Sequence, residues 1–173
     1  MTERGTQPAQ QRIAGSIATV SLTNVVGGVL LGCVVILLSI RLVIPELSEL
    51  QRKFVFKILS GCALWLFIGL QWLLAVSRVR GWSYVSKLLF VVHQVVGVGG
   101  PVLLYVHVRS WGFGYLNVLS AAFLFNHALG LMQPRTPQRS RQFRSVWLIS
   151  HIALSVVIVA LASYHTWQAF YYE

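Results

Sequence analysis

Five stretches of the chain run without a single Asp, Glu, Lys or Arg: Ile13 to Ile40, Ile58 to Ser77, Leu88 to Val108, Ser110 to Pro134 and Ser145 to Tyr172. A helix that crosses about 30 Å of hydrocarbon needs about 20 apolar residues at a rise of about 1.5 Å each, and every one of these runs is long enough. The first, fourth and fifth reach beyond the hydrocarbon into the interface. None shows the apolar–polar alternation of a transmembrane β-strand, and backbone groups inside a bilayer must pair internally, so the runs predict helices. The expected fold is all-α and integral to the membrane, a bundle of five transmembrane helices over residues 17–40, 58–77, 87–109, 115–133 and 145–170. Residues 1–12 are expected to form a cytoplasmic tail, and residues 13–173 a single transmembrane domain.

Composition agrees with that pattern. Hydrophobic residues make up 56% of the chain and charged ones only 10%, too few to cover the surface of a soluble protein of this size. The first run lacks the short apolar core and small-residue cleavage site of a removable signal, so it is read as a true span. Cys33 and Cys62 fall inside spans without Cys-x-x-Cys spacing and are read as packing residues.

The net charge of +10 raises the question of nucleic acid, and the distribution of the basic residues answers it. With the N-terminus inside, the cytoplasmic side holds Arg4, Arg12, Arg78, Arg80, Lys87, Arg135, Arg139, Arg141 and Arg144, and the other side Arg41, Arg52, Lys53, Lys57 and Arg109. This bias follows the positive-inside rule and sets an N-in, C-out topology. The Arg-rich stretch from Arg135 to Arg144, with Pro134 and Pro137, is read as a turn that meets anionic lipid, and no nucleic-acid partner is expected. Trp82, Tyr84, Trp111, Tyr115, Trp147, Trp167, Tyr171 and Tyr172 fall near span ends and are expected as an interfacial belt. Gly27, Gly28 and Gly32 form a small-residue patch suited to a close helix contact.

The histidines change the picture most. All five lie in or at the edge of uncharged runs, where an ionisable group is costly and usually marks a functional path or ligand. His93 and His107 are 14 residues apart in the third run, and His151 and His165 are 14 apart in the fifth. Fourteen residues make nearly four helical turns, leave about 40° of offset and rise about 21 Å, so each helix points both imidazoles to one side at two depths. Both spans are odd-numbered and run parallel, and Lys87 and Arg144 mark their entries at similar distances. His93 is thus expected to face His151 near the cytoplasm, and His107 to face His165 near the outer surface. His127 has no such partner and is read as a packing or hydrogen-bonding residue.

Two imidazoles facing across an apolar cleft are what a six-coordinate haem requires. Gly97, Gly99 and Gly100 remove side chains where a macrocycle would press, and Pro101 is expected to kink the helix by displacing the Gly97 carbonyl. The segment from His93 to His107, with its H-x3-G start and H-x13-H spacing, resembles the haem-bearing helices of membrane cytochromes b. Its recurrence at His151 and His165 is similar to the two-helix, four-histidine arrangement of quinol-oxidising cytochrome b subunits and of ferric-reductase-like transmembrane proteins, which also place ligands on the third and fifth helices. The resemblance lies in the third and fifth runs, between His93 and His165. It implies one or two b haems, with His93, His107, His151 and His165 as axial iron ligands and Gly97 and Gly100 against the macrocycle. The function it implies is electron transfer across or into the membrane, with a quinone or a redox protein as partner or as a subunit of a larger complex. If the source is bacterial, the cytoplasmic membrane is the expected location.

Ser155 and Thr166 are local candidates for orienting the ligands, and Arg78, Arg80, Arg109 and Arg144 for holding propionates. The competing classes are a small transporter with a histidine proton path and a non-catalytic membrane anchor. Transporters commonly place carboxylates at mid-membrane, whereas Glu3, Glu46, Glu49 and Glu173 all lie outside the spans. No nucleophilic triad, phosphate loop or zinc-ligand cluster is visible, so any catalysis is expected to be redox chemistry on a bound cofactor.

Overall fold

The computed structural model describes residues 7–133 and 141–172, with side chains from Leu22 onward. The expected turn at residues 134–140, with Arg135 and Arg139, lies outside them, as do Arg4 and the rest of the first six residues. The described residues form seven helices and no strand: α1 (Gln7–Ser39), α2 (Pro45–Arg52), α3 (Phe54–Val79), α4 (Ser83–Val98), α5 (Gly100–His107), α6 (Tyr115–Leu131) and α7 (Arg141–Tyr172).

Three helices, α1, α3 and α7, are each long and apolar enough to cross a membrane. The third uncharged run is broken into α4 and α5, which meet at 44° around Gly99 and make a fourth crossing if taken together. Pro101 sits in the first turn of α5 and lacks the N–H that would extend the ladder back to Gly97, so the bend follows from the sequence. Helix α6 is a shorter apolar helix of 17 residues. The helices also reach past the uncharged runs: α1 begins ahead of Ile13, and α7 takes Arg141 and Arg144 into its first turn. Gly81 closes the turn from α3 to α4 with φ of +71°, a conformation that a β-carbon would oppose.

Helix α6 packs along α7, α3 packs along α4 and α5, and α1 lies against α4, α5 and α6. Gly27 marks the α1–α6 contact, since a β-carbon there would stand 2.7 Å from the Leu131 side chain. Gly28 and Gly32 face open space. The shared core is Val34, Leu38, Phe67, Leu104, Ala122, Phe123, Leu124 and Ile158. Around it the helices turn large apolar residues outward, among them Val29, Ile36, Leu59, Leu66, Val95 and Ile149. In water that surface would be an aggregation site; in a bilayer it is the lipid contact. The chain is a multi-pass, all-helical membrane protein.

Candidate functional site

The four spaced histidines sit on two structural units that face each other. His93 on α4 and His107 at the end of α5 form one side, and His151 and His165 on α7 form the other. The ring centroids of His93 and His151 are 6.2 Å apart with their planes at 80°. Those of His107 and His165 are also 6.2 Å apart, at 78°.

Each pair lines its own cleft. The inner cleft, about 380 Å³, holds His93, His127 and His151 with Gln71, Asn126 and Arg78. The outer cleft, about 420 Å³, holds His107 and His165 with Trp65, Lys57 and Arg109. Ile68, Phe123 and Ile158 line both and form an apolar partition between the two levels.

The flanking helices back up the rings. Helix α3 presents Ser60 and Gly61 to His107: the Ser60 hydroxyl lies 2.9 Å from Nδ1, and Cε1 would be 3.5 Å from a β-carbon at Gly61. On α6, Gly130 leaves similar room for His151, whose Cε1 would lie 3.6 Å from a β-carbon there. Tyr115 places its hydroxyl 3.4 Å from Nδ1 of His165. Trp147 stacks on the His151 ring at 5.7 Å and 6°, and its indole N–H donates to the Leu129 carbonyl at 2.7 Å. Backbone carbonyls of Gln71 and Asn126 interact with the His93 and His151 rings, but no hydrogen bond closes on the buried Nδ1 of either. The Gln71 amide nitrogen and Asn126 amide oxygen in the same cleft are also buried without partners.

Several expected residues make other contacts. Gly97 does line the inner cleft, but Gly100 is buried away from it: a β-carbon at Gly100 would stand 2.7 Å from His127 Cε1 and from Phe67 Cζ. The missing side chain makes room for those two rings. The Ser155 hydroxyl donates to the His151 carbonyl at 2.8 Å and accepts from Asn126 at 2.9 Å. Thr166 likewise donates to Ala162 and accepts from the Trp65 indole. Ser60 and Tyr115 approach the imidazole nitrogens instead. Tyr115 and Trp147 therefore do more than form an interfacial belt. His127 interacts with the Gly97 backbone, beside the Pro101 break.

The donor set has a definite chemical capacity. A bond from an imidazole nitrogen to a transition metal is about 2 Å, and each nitrogen lies about 1 Å from its ring centre, so two axial imidazoles on one metal have centroids about 6 Å apart. Both pairs meet that separation, and neither has a third His, Cys, Asp or Glu placed to complete a protein-only metal cage among the described residues. Two ligands across an apolar cleft, with equatorial positions open, fit a planar tetradentate group such as a porphyrin better than a bare ion. Arg78 at the inner cleft, and Lys57 and Arg109 at the outer, offer cations to carboxylates on such a group. Comparison with family models, curated proteins and solved structures finds no match to this chain, so its chemistry rests on its own residues.

Proposed function

We propose that this protein is a membrane cytochrome of b type with two haem sites, one per cleft, that moves electrons between the two faces of the membrane. The observation that carries the reading is the repetition of one geometry: two imidazole pairs, both with centroids 6.2 Å apart and with planes at 80° and 78°. Accidental histidine contacts have no reason to recur with one spacing and one angle at two depths. A haem held there by two imidazoles would supply one-electron ferric–ferrous chemistry. His93 and His151 are assigned as the inner ligands, and His107 and His165 as the outer ones. Gly61, Gly97 and Gly130 leave room beside the ligands, while the aromatic and aliphatic walls exclude water. Phe123, with Ile68 and Ile158, lines both clefts and lies between the two levels.

In this reading the chain crosses five times, N-terminus inside, with α4 and α5 as one bent crossing and α6 as the shortest. Seventeen residues span about 26 Å, at the lower limit for a bilayer. The basic bias toward Arg78, Arg80, Lys87, Arg141 and Arg144 favours that side as cytoplasmic. In a bacterium this would be the inner membrane. Electrons would be exchanged with a quinone or a redox protein, and the chain would work alone or as a subunit of a larger complex. The apolar partition disfavours the competing histidine proton path, which needs continuous polar groups through the bilayer.

The test is a reduced-minus-oxidised visible spectrum with pyridine haemochrome quantification on detergent-purified protein expressed with ample haem. The expected result is a b-type α-band with about two haems per chain. His93→Ala and His107→Ala should each retain about one. A monodisperse, helical preparation without haem would overturn the reading.

A further inference from the structure

The two histidine levels differ in what holds the ring nitrogens, and the outer level shows how one of them is set. Ser60 has a single hydroxyl proton. The Phe56 carbonyl lies 2.8 Å from its oxygen and the Lys57 carbonyl 3.2 Å, both placed to accept that proton. What remains for Nδ1 of His107, 2.9 Å away, is a lone pair. A neutral imidazole carries one N–H, so if Nδ1 donates to Ser60, Nε2 is the bare nitrogen.

The rest of the ring's environment is equally fixed. The ring lies beside α3, with Cε1 3.5 Å from where a β-carbon at Gly61 would stand. Gln51, only 6% exposed, points its amide nitrogen at the carbonyls of Tyr105, Val106 and Val108 at 3.0, 3.0 and 2.9 Å, bracketing His107 in the chain. Backbone, ring face and ring nitrogen are therefore each held by a neighbouring element.

We propose that Ser60 is a positioning residue that holds His107 in the tautomer with Nδ1 protonated, leaving the Nε2 lone pair as the ligating group opposite His165. This rests on the reading of the histidine pairs as axial ligands, and it adds a residue on α3, a helix that supplies no ligand. The opposite arrangement, in which Ser60 donates to a bare Nδ1, would put the proton on Nε2 and leave the imidazole unable to bind iron until it switched. Residues that hold a ligating imidazole through its other nitrogen typically change metal affinity by about 10–100-fold.

The experiment uses the full chain in detergent, first without haem, with 15N-labelled histidine and the His107 signal assigned by its loss in His107→Gln. Wild type should show a protonated Nδ1 at His107, Ser60→Ala should lose that preference, and Ser60→Thr should restore it. The same three proteins are then titrated with haem. Ser60→Ala should weaken outer-site binding at least about tenfold and shift only the outer haem's midpoint potential, with inner-site binding unchanged as the control for folding. Ser60→Thr should return both toward wild type. Wild type that binds no haem would sink the cytochrome reading, yet the tautomer measurement would still decide the role of Ser60. Unchanged tautomer, affinity and potential in a haem-loaded Ser60→Ala protein would overturn the inference. So would a bare Nδ1 at His107 in wild type.

Discussion

Pro101 brings no N–H to its helix, and the His127 ring of α6 packs beside the resulting kink. The carbonyl that would have received that N–H belongs to Gly97, and the N–H of Gly99 turns toward it at the end of α4. Gly100 permits the approach, because any β-carbon there would collide with the His127 and Phe67 rings. One histidine of the five is thus accounted for by packing at the kink, where it also stacks on Phe123. Under the proposed haem reading, His127→Ala should keep the wild-type haem complement while lowering stability by about 1–3 kcal/mol through loss of its buried ring contacts. Thermal unfolding in detergent, read beside the haemochrome count, checks both halves; loss of a haem would give His127 a ligand's role. Gly100→Ala should be destabilised by about 1–3 kcal/mol through overpacking against the same two rings. The 14-residue spacing anticipates which histidines share a depth, because helical periodicity fixes side and rise. It cannot anticipate Ser60, Gly61, Tyr115 or Gly130, since the spacing within one helix says nothing about which neighbouring helix lies behind it. A serine followed by glycine in an apolar run was the only available hint for the first two.

Among the elements, α2 is the one that the uncharged runs pass over. Its eight residues carry two glutamates and an arginine and resemble a polar connection, yet Pro45 in the first turn, Glu46 beside it and Arg52 in the last turn are ordinary helix boundary signals. The helix matters because it delivers Gln51 to the C-terminal end of α5. Carbonyls in the last turn of a helix lack intrahelical donors, and Gln51 is buried against these, where water has little access. The two amide protons of Gln51 are shared among three carbonyls there. Gln51→Leu keeps the bulk and removes both donors. It should lower stability by about 1–3 kcal/mol and speed amide hydrogen exchange around Val106 to Val108, while exchange around His93 stays at the wild-type rate. Equal exchange at both ends of the bent pair would remove Gln51 from its assigned place. The break between α4 and α5 was legible from Pro101, but its 44° angle was not, because that angle depends on how α3, α6 and α1 pack around it.

At the scale of the whole molecule, the proposed transmembrane electron path requires the bent pair to cross the bilayer. A 44° break permits two outcomes: a kinked crossing, or a re-entrant hairpin that returns to its starting face. The facing pairs favour a crossing. Helix α7 is 32 residues long and unbroken, so His151 and His165 stand at two depths about 21 Å apart along its axis. His93 and His107 meet them at 6.2 Å each, which requires α4 and α5 to climb with α7. A hairpin would bring His107 back toward the level of His93. Residues flanking the pair should therefore lie on opposite faces. In a background with Cys33 and Cys62 replaced by alanine, Arg80→Cys and Arg109→Cys should be labelled by an impermeant maleimide from opposite sides of sealed, oriented vesicles. If Arg80→Cys reacts only from the cytoplasmic side and Arg109→Cys only from the other, the pair crosses and the positive-inside orientation holds. Labelling of both from one side would make the segment re-entrant and remove the basis for a path between the faces. Reversed but opposite labelling would keep the path and invert the direction in which the inner and outer sites are named.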